Sequence, residues 1–357
     1  MKIQAIRARP VAAPMKRPLA TGGGKLTESA LLLIDLQTDQ GIVGRSYLFG
    51  FGRQNNLPPI VKVIEAMAEM LKGDDVAPFE LEKKLRSRYT LLGVHNIILF
   101  ALSGIDMAAW DALAQAQSRP LVRLLGGVPK AIPAYNSKGL GIMAASEVAK
   151  EAEELVNEGF NAVKLRLGRP EAKRDIDALR AVKKAIGPDV TLMVDFNQAL
   201  SVAEAIRRGR MIDEEGGVLW IEEPVRADDF AGTARVAREV RTPIQIGENF
   251  MGAEQMAQAL AAGACDYVMP DAQRIGGVTG WMRAAALAQA AGMEMSSHLF
   301  PEVSCQLLAV TPTCHWLEFV DWAEPVLQEP LALKDGCVAV PEKPMQWNEE
   351  AVRRYSL

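Results

Sequence analysis

Cysteine is scarce in this chain. Its 357 residues include four, Cys265, Cys305, Cys314 and Cys337. None stands in a C-x-x-C spacing, so neither a thiolate metal site nor a disulfide framework is in view. Histidine is scarcer, with three: His95, His298 and His315. Runs of like charge are missing, as is any Lys/Arg patch interleaved with aromatics. With a net charge of −4 and a pI near 5.7, nucleic acid is excluded as a partner. The most apolar stretch, NIILFALSGIDMAAWDALAQA (96–116), carries Asp106 and Asp111 and reads as a buried core helix, with no membrane involved. The opening MKIQAIRARPVAAP alternates and carries charge, without the apolar segment of a signal peptide. Together these absences predict a cytoplasmic protein with incidental thiols.

What remains is ordinary globular material, 49% hydrophobic and 24% charged, in a chain long enough for one large α/β barrel plus a smaller domain. Residues 1–60 contain strand-like runs, ALLLIDLQT (30–38) and GIVGRSYLF (41–49), separated by turn-prone GGGK (22–25) and TDQG (38–41). Residues 60–128 read as helical. Together residues 1–130 form an expected α+β capping domain. From 131 the texture changes to short apolar runs alternating with amphipathic stretches such as ASEVAKEAEELVNEG (145–159). The runs are AIPAYNS, NAVKLRL, VTLMVDF, GVLWIEE, PIQIGEN, CDYVMPD, MEMSSH and HWLEF. Eight strands with helices between most of them predict an α/β fold, a modified TIM (β/α) barrel over 131–324. A doubly wound sheet is the rival. Residues 325–357 read as loops returning to the cap.

Polar residues close almost every run: Lys164 and Arg166, Asp195 and Asn197, Glu222, Glu248, Asp271, His298, Glu318. Consecutive positions are one βα unit apart, 31 residues from Lys164 to Asp195 and 20 from His298 to Glu318. In a barrel they converge at the C-terminal mouth, where active sites sit. Acids placed for surface charge would scatter over helices instead. Asp195, Glu222 and Glu248 come from three consecutive strands. Three converging carboxylates raise one another's pKa unless a cation neutralises them. An all-oxygen set favours a hard ion, Mg²⁺ first and Mn²⁺ next.

His298 follows Ser296-Ser297 at a strand end, and Asp271 closes the neighbouring strand. An Asp–His hydrogen bond there fixes the tautomer and raises the basicity of His298. His315 and His95 read as structural. Glu318 closes the last strand. A buried carboxyl beside other acids stays protonated and can donate to a developing oxyanion; the competing explanation is a barrel-mouth ion pair. These parts fit one chemistry. A metal and a cation bind a carboxylate, a base removes the proton alpha to it, and the resulting enediolate is held by Mg²⁺, Lys164 and Glu318.

Several stretches carry a family likeness: SYLF (46–49), GIDMAAWDAL (104–113), MVDFNQ (193–198), WIEEP (220–224), GEN (247–249), IGGVTGW (275–281), SSHLF (296–300) and HWLE (315–318). The chain resembles the mandelate racemase group of the enolase superfamily over essentially its whole length. That resemblance implies metal ligation by Asp195, Glu222 and Glu248, an Asp271–His298 base and Glu318 as electrophilic acid. It implies that Lys164 touches the substrate carboxylate and that Ser137 and Asn197 lie near the substrate. A flap around Gly22–Lys25 and the segment Tyr47–Phe51 would close over the pocket, making Lys25 and Tyr47 candidate substrate contacts. The likeness also suggests a homo-oligomer, dimer to octamer.

Arg166 departs from the family pattern, which has a second lysine there acting as a base on the other face of the substrate. Arginine is a poor base at neutral pH but a good fork for an oxygen anion or hydroxyl. His298 is then the sole base, and the leading expectation is dehydration of a sugar acid to a 2-keto-3-deoxy acid. The alternative is racemisation or epimerisation of a 2-hydroxy acid, which the apolar Tyr47–Phe51 segment would suit. A muconate-type cycloisomerase would carry lysines where Arg166 and the Asp271–His298 pair stand.

Overall fold

The computed structural model describes residues 1–21 and 24–357. Three long strands open the chain: β1 (Ile3–Thr21), β2 (Gly24–Thr38) and β3 (Val43–Phe49), paired antiparallel in that order. β1 contains Pro10, Pro14 and Pro18; its ladder runs to β2, and on its other edge Val11 meets Ser356 in an isolated bridge, a near-edge position that prolines tolerate. Its register slips between Pro14 and Leu19, where the ladder cannot be continuous. Helices α1 (Leu57–Leu71) and α3 (Ile97–Ala116) cover this sheet, α2 (Pro78–Arg88) packs on α3, and the short α4 (Leu121–Leu124) follows.

Helix α3 is long and apolar enough to cross a membrane by composition, but it lies inside the protein. It packs on β3 and on the barrel. Gly44 permits the close approach of β3, because a Cβ there would lie 2.0 Å from the Ala108 carbonyl. Asp106 accepts hydrogen bonds from the Thr279 amide (3.0 Å) and hydroxyl (2.5 Å), tying the cap to the barrel.

The barrel strands are β4 (Ala131–Asn136), β5 (Ala162–Arg166), β6 (Thr191–Asp195), β7 (Ile221–Glu222), β8 (Ile244–Ile246), β9 (Tyr267–Val268), β10 (Glu294–Met295) and β11 (Leu317–Phe319). They follow the eight apolar runs. All neighbours pair parallel, β11 beside β4. The His315 amide bonding the Met295 carbonyl (2.9 Å) and the Ser297 amide bonding the Trp316 carbonyl (3.0 Å) close the ring. Helices α5 (Ala145–Asn157), α6 (Ala172–Ile186), α7 (Val202–Glu215), α8 (Phe230–Glu239), α9 (Ala253–Ala261), α10 (Ala272–Ile275), α11 (Gly277–Ala290) and α12 (Pro301–Val310) lie between them.

The last segment differs from the loops expected. Strands β12 (Leu333–Lys334) and β13 (Cys337–Ala339) form a hairpin whose second strand pairs antiparallel with β4 of the barrel. Its final part meets the cap: α13 (Glu349–Tyr355) does so through Arg9–Glu349 (2.7 Å), and the Leu357 amide bonds the Pro10 carbonyl (3.1 Å). Nearby, the Trp347 indole bonds Asp35 of β2 (2.7 Å).

Candidate active site

Strand alternation sends Lys164 and Arg166 to one side of β5, and Val163 and Leu165 to the other. All four are buried. Asp195 ends β6 directly opposite Glu222, which ends β7. Glu248 stands two residues beyond β8, after Gly247. That glycine has φ +138°, and a Cβ there would lie 2.8 Å from the Met269 amide nitrogen. Asp195, Glu222 and Glu248 each bring an oxygen within 4.8 Å of the others.

This cluster is electrostatically unsatisfied. Burial, together with Asp195, Glu318 and Glu248, pushes Glu222 up to about 8 despite Lys164. Lys164 Nζ lies 2.5 Å from Glu222, 2.8 Å from Glu318 and 3.4 Å from Asp195. Burial disfavours its charge, but Glu222 and Glu318 outweigh that and hold the ammonium well above its usual range. Asp195 is fixed by Asn197, whose amide NH bonds Oδ1 (2.7 Å) and whose side chain bonds Oδ2 (2.9 Å). Asn197 adopts φ +43°, a left-handed conformation that asparagine tolerates better than most residues. Three convergent carboxylates, Asp195 and Glu222 buried and Glu248 partly so, are all oxygen donors and fit a hard divalent cation such as Mg²⁺.

Across the mouth, His298 Nδ1 lies 2.7 Å from Asp271 Oδ2. Asp271 Oδ1 is held by the amides of Gln273 (2.7 Å) and Arg274 (3.0 Å). The pairing turns Nε2 toward the acids, 3.5 Å from Glu248 and 3.8 Å from Glu318. Burial lowers the imidazole's affinity for a proton. Glu248, Glu318 and the Asp271 bond overcome that and raise it to about 10.

Glu318 departs from the protonated acid expected. It accepts from Ser137 Oγ (2.7 Å), Lys164 Nζ (2.8 Å) and the Leu299 amide (2.9 Å). Burial pushes its carboxyl up, but Lys164 and His298 hold it well below the usual carboxylate range. In this arrangement it is an ionised acceptor.

Above the acids lies a cavity of about 560 Å³. Lys164, Arg166, Asp195, Asn197, Glu248, His298 and Glu318 line it from the barrel. From the cap come Leu19, Lys25, Leu26, Phe49 and Phe51. The flap residues Gly22 and Gly23 fall outside the described residues. Two expected substrate contacts do not line this cavity. Tyr47 turns away to donate to Glu302 (2.5 Å) and is buried. Ser137 is fully buried behind Glu318 and Arg166. Gln198, Leu299, Arg274 and Trp322 line it without having been singled out in the sequence. They sit past strand ends, where alternation no longer gives direction. His315 packs among Trp220, Tyr267 and Trp316 as a structural residue.

Residues 3–126 match the mandelate racemase / muconate lactonizing enzyme N-terminal domain, and residues 147–344 match an enolase C-terminal domain-like region. The chain belongs to the mandelate racemase and muconate lactonizing enzyme family. An enolase from alpha proteobacterium BAL199, solved with bound Mg, is 46% identical. The match covers 100% of this chain and 99% of that one at a TM-score of 0.97. An enolase from Bradyrhizobium, complexed with magnesium and mandelic acid, is 41% identical, covering 100% and 98% at a TM-score of 0.95. L-talarate/galactarate dehydratase of Salmonella typhimurium is 33% identical over 334 residues, 92% of this chain and 82% of that protein. Solved relatives in this family carry Mg²⁺, a cation that the three acids suit by their chemistry.

Proposed function

We propose that the protein dehydrates a sugar acid to a 2-keto-3-deoxy acid, with His298 as the only base. Mg²⁺, held by Asp195, Glu222 and Glu248, supplies positive charge that makes the substrate's alpha proton acidic and relieves the pull of Glu248 on His298. Lys164 turns from its carboxylates to bind the substrate carboxylate. Arg166 and Asn197 bind substrate oxygens, and Lys25 contacts the substrate from the cap. His298 Nε2 takes the alpha proton, with Asp271 orienting the ring. The beta C–O bond then breaks, and the same proton passes from Nε2 to the leaving hydroxide, which departs as water. The enol that remains tautomerises to the keto acid. Once Lys164 has turned to the substrate, Glu318 loses the cation that keeps it ionised; buried and held by Ser137, it takes up a proton and donates to the carboxylate oxygen on which charge develops.

One observation carries this reading. On the side of the cavity where a second base would stand, Arg166 donates to the Gly139 carbonyl (2.8 Å) and to Ser137 Oγ (3.0 Å). A guanidinium does not give up its proton at neutral pH. The talarate/galactarate dehydratase relative supports the same class. His298→Asn tests it. Loss of about 10²–10⁴-fold in turnover and in alpha-proton exchange is expected; persistent exchange would show another base.

Racemisation or epimerisation of a 2-hydroxy acid is the second reading. The apolar wall of Leu26, Phe49, Phe51 and Trp322 favours it, as does the Bradyrhizobium neighbour's mandelic acid. In either case the protein works in the cytoplasm as a homo-oligomer, dimer to octamer. The exposed Leu91 and Leu92 on the cap support such assembly.

A further inference from the structure

Beneath the three acids lies a layer of aromatic side chains that the proposed chemistry does not use. Trp220 stands immediately before β7, two residues from Glu222, so both point to the same side of the strand. Its indole is fully buried. Nε1 donates to Glu222 Oε2 at 3.1 Å. The ring stands edge-on to Tyr135 of β4, 5.5 Å between centroids at 80°. Tyr135 in turn lies under the Lys164 ammonium, 5.6 Å from its ring centre. One aromatic floor thus touches both the central acid and the central cation.

We propose that Trp220 is a positioning residue for the cation-binding carboxylate of Glu222, an inference that rests on the metal assignment above. An indole N–H is a donor only. It engages one carboxylate oxygen and cannot reverse its role. Being neutral, it fixes Glu222 without supplying the charge that a cation brings. With Oε2 held, Oε1 is the oxygen left to turn toward an ion. In this structure that oxygen pairs with Lys164. A carboxylate with both oxygens free would have to be ordered at the moment of binding, at an entropic cost that the Trp220 bond removes.

Trp281 supplies the contrast. It is equally buried, and its indole donates to the neutral hydroxyl of Thr311 (3.0 Å). Removing its N–H perturbs packing to a similar degree but touches no acid of the site.

The test is Mg²⁺ affinity measured by titration calorimetry on the full-length protein without substrate. Trp220→Phe is expected to raise the Mg²⁺ dissociation constant at least about tenfold, the range for loss of an outer partner of a metal ligand. Trp281→Phe is expected to leave it at the wild-type value. Should the phenylalanine variant not fold, β-(3-benzothienyl)alanine at position 220 keeps both rings and lacks only the N–H. The same weakening is expected from it. Wild-type affinity in the Trp220 variant overturns the inference while leaving the metal assignment standing. Absence of Mg²⁺ binding by the wild-type protein overturns both.

Discussion

Arg166 Nη2 lies 3.0 Å from Ser137 Oγ, and the hydroxyl proton of that serine is already given to Glu318. Arg166 is therefore part of the frame that holds Glu318, as well as a wall of the cavity. It makes no carboxylate ion pair among the described residues, and its buried Nε lacks a partner. Arg166→Lys removes the fork that reaches both Ser137 and Gly139 and places a group able to shed its proton on the silent face. The expected outcome is slower dehydration together with deuterium incorporation from the C2 epimer that the wild type leaves untouched, read by proton NMR in D₂O. Unchanged stereochemical preference would contradict the geometry assigned to this face.

Glu248 approaches both the ion site and His298. Glu248→Gln removes one charged ligand and one of the anions that raise the imidazole's affinity for protons. Two effects are expected together: Mg²⁺ binding weakened at least about tenfold, and a downward shift in the pKa of His298 measured without metal. Calorimetry and imidazole NMR read them separately. Normal Mg²⁺ affinity would remove Glu248 from the ligand set.

Tyr47 is expected to matter for stability and not for substrate. Tyr47→Phe leaves the buried Glu302 without its hydroxyl donor, at a cost of about 1–3 kcal/mol, seen in denaturant unfolding. KM is expected to stay at its wild-type value, because the hydroxyl does not reach the cavity. A raised KM with unchanged stability would reverse that placement.

Asp106 links pH to the cap–barrel contact. Burial pushes its carboxyl up to about 7, against the pull of the Thr279 bonds, whereas in an unfolded chain it titrates near about 3.9. The folded state therefore binds the proton more tightly. This contribution to stability is complete below about pH 4 and is lost as pH rises through about 7. Asp111, raised to about 6, and Glu302, raised to about 7, act with the same sign. Thermal unfolding followed from pH 4 to pH 8 is expected to show Tm falling with rising pH, and falling less in Asp106→Asn. Parallel curves for the two proteins would exclude Asp106 as a contributor.

The barrel and its acids were legible because two periodicities coincide. Each strand is a short apolar run, and each ends in a polar residue one βα unit from the next. Asp195, Glu222, Glu248, Asp271, His298 and Glu318 follow from that alone. Alternation also brings Lys164 and Arg166 to one side. It does not say what lies between a side chain and the cavity; the family resemblance sets Ser137 near the substrate, whereas Arg166 and Glu318 cover it. Tyr47 lies on a cap strand whose orientation over the barrel is a tertiary matter. The charge of Glu318 depends on the reach of the Lys164 side chain, which strand position does not encode. The 333–339 hairpin is too short for a periodic signal. Trp220 was within reach of the same alternation rule, two residues before Glu222.

The central claim is tested most directly by proton NMR in D₂O with Mg²⁺, on a panel of sugar acids and both enantiomers of mandelate. A 2-keto-3-deoxy product is expected from a sugar acid of one C2 configuration, formed without exchange in its epimer. Alpha-deuteration of both enantiomers of a simple 2-hydroxy acid, with no elimination from any sugar acid, would contradict it.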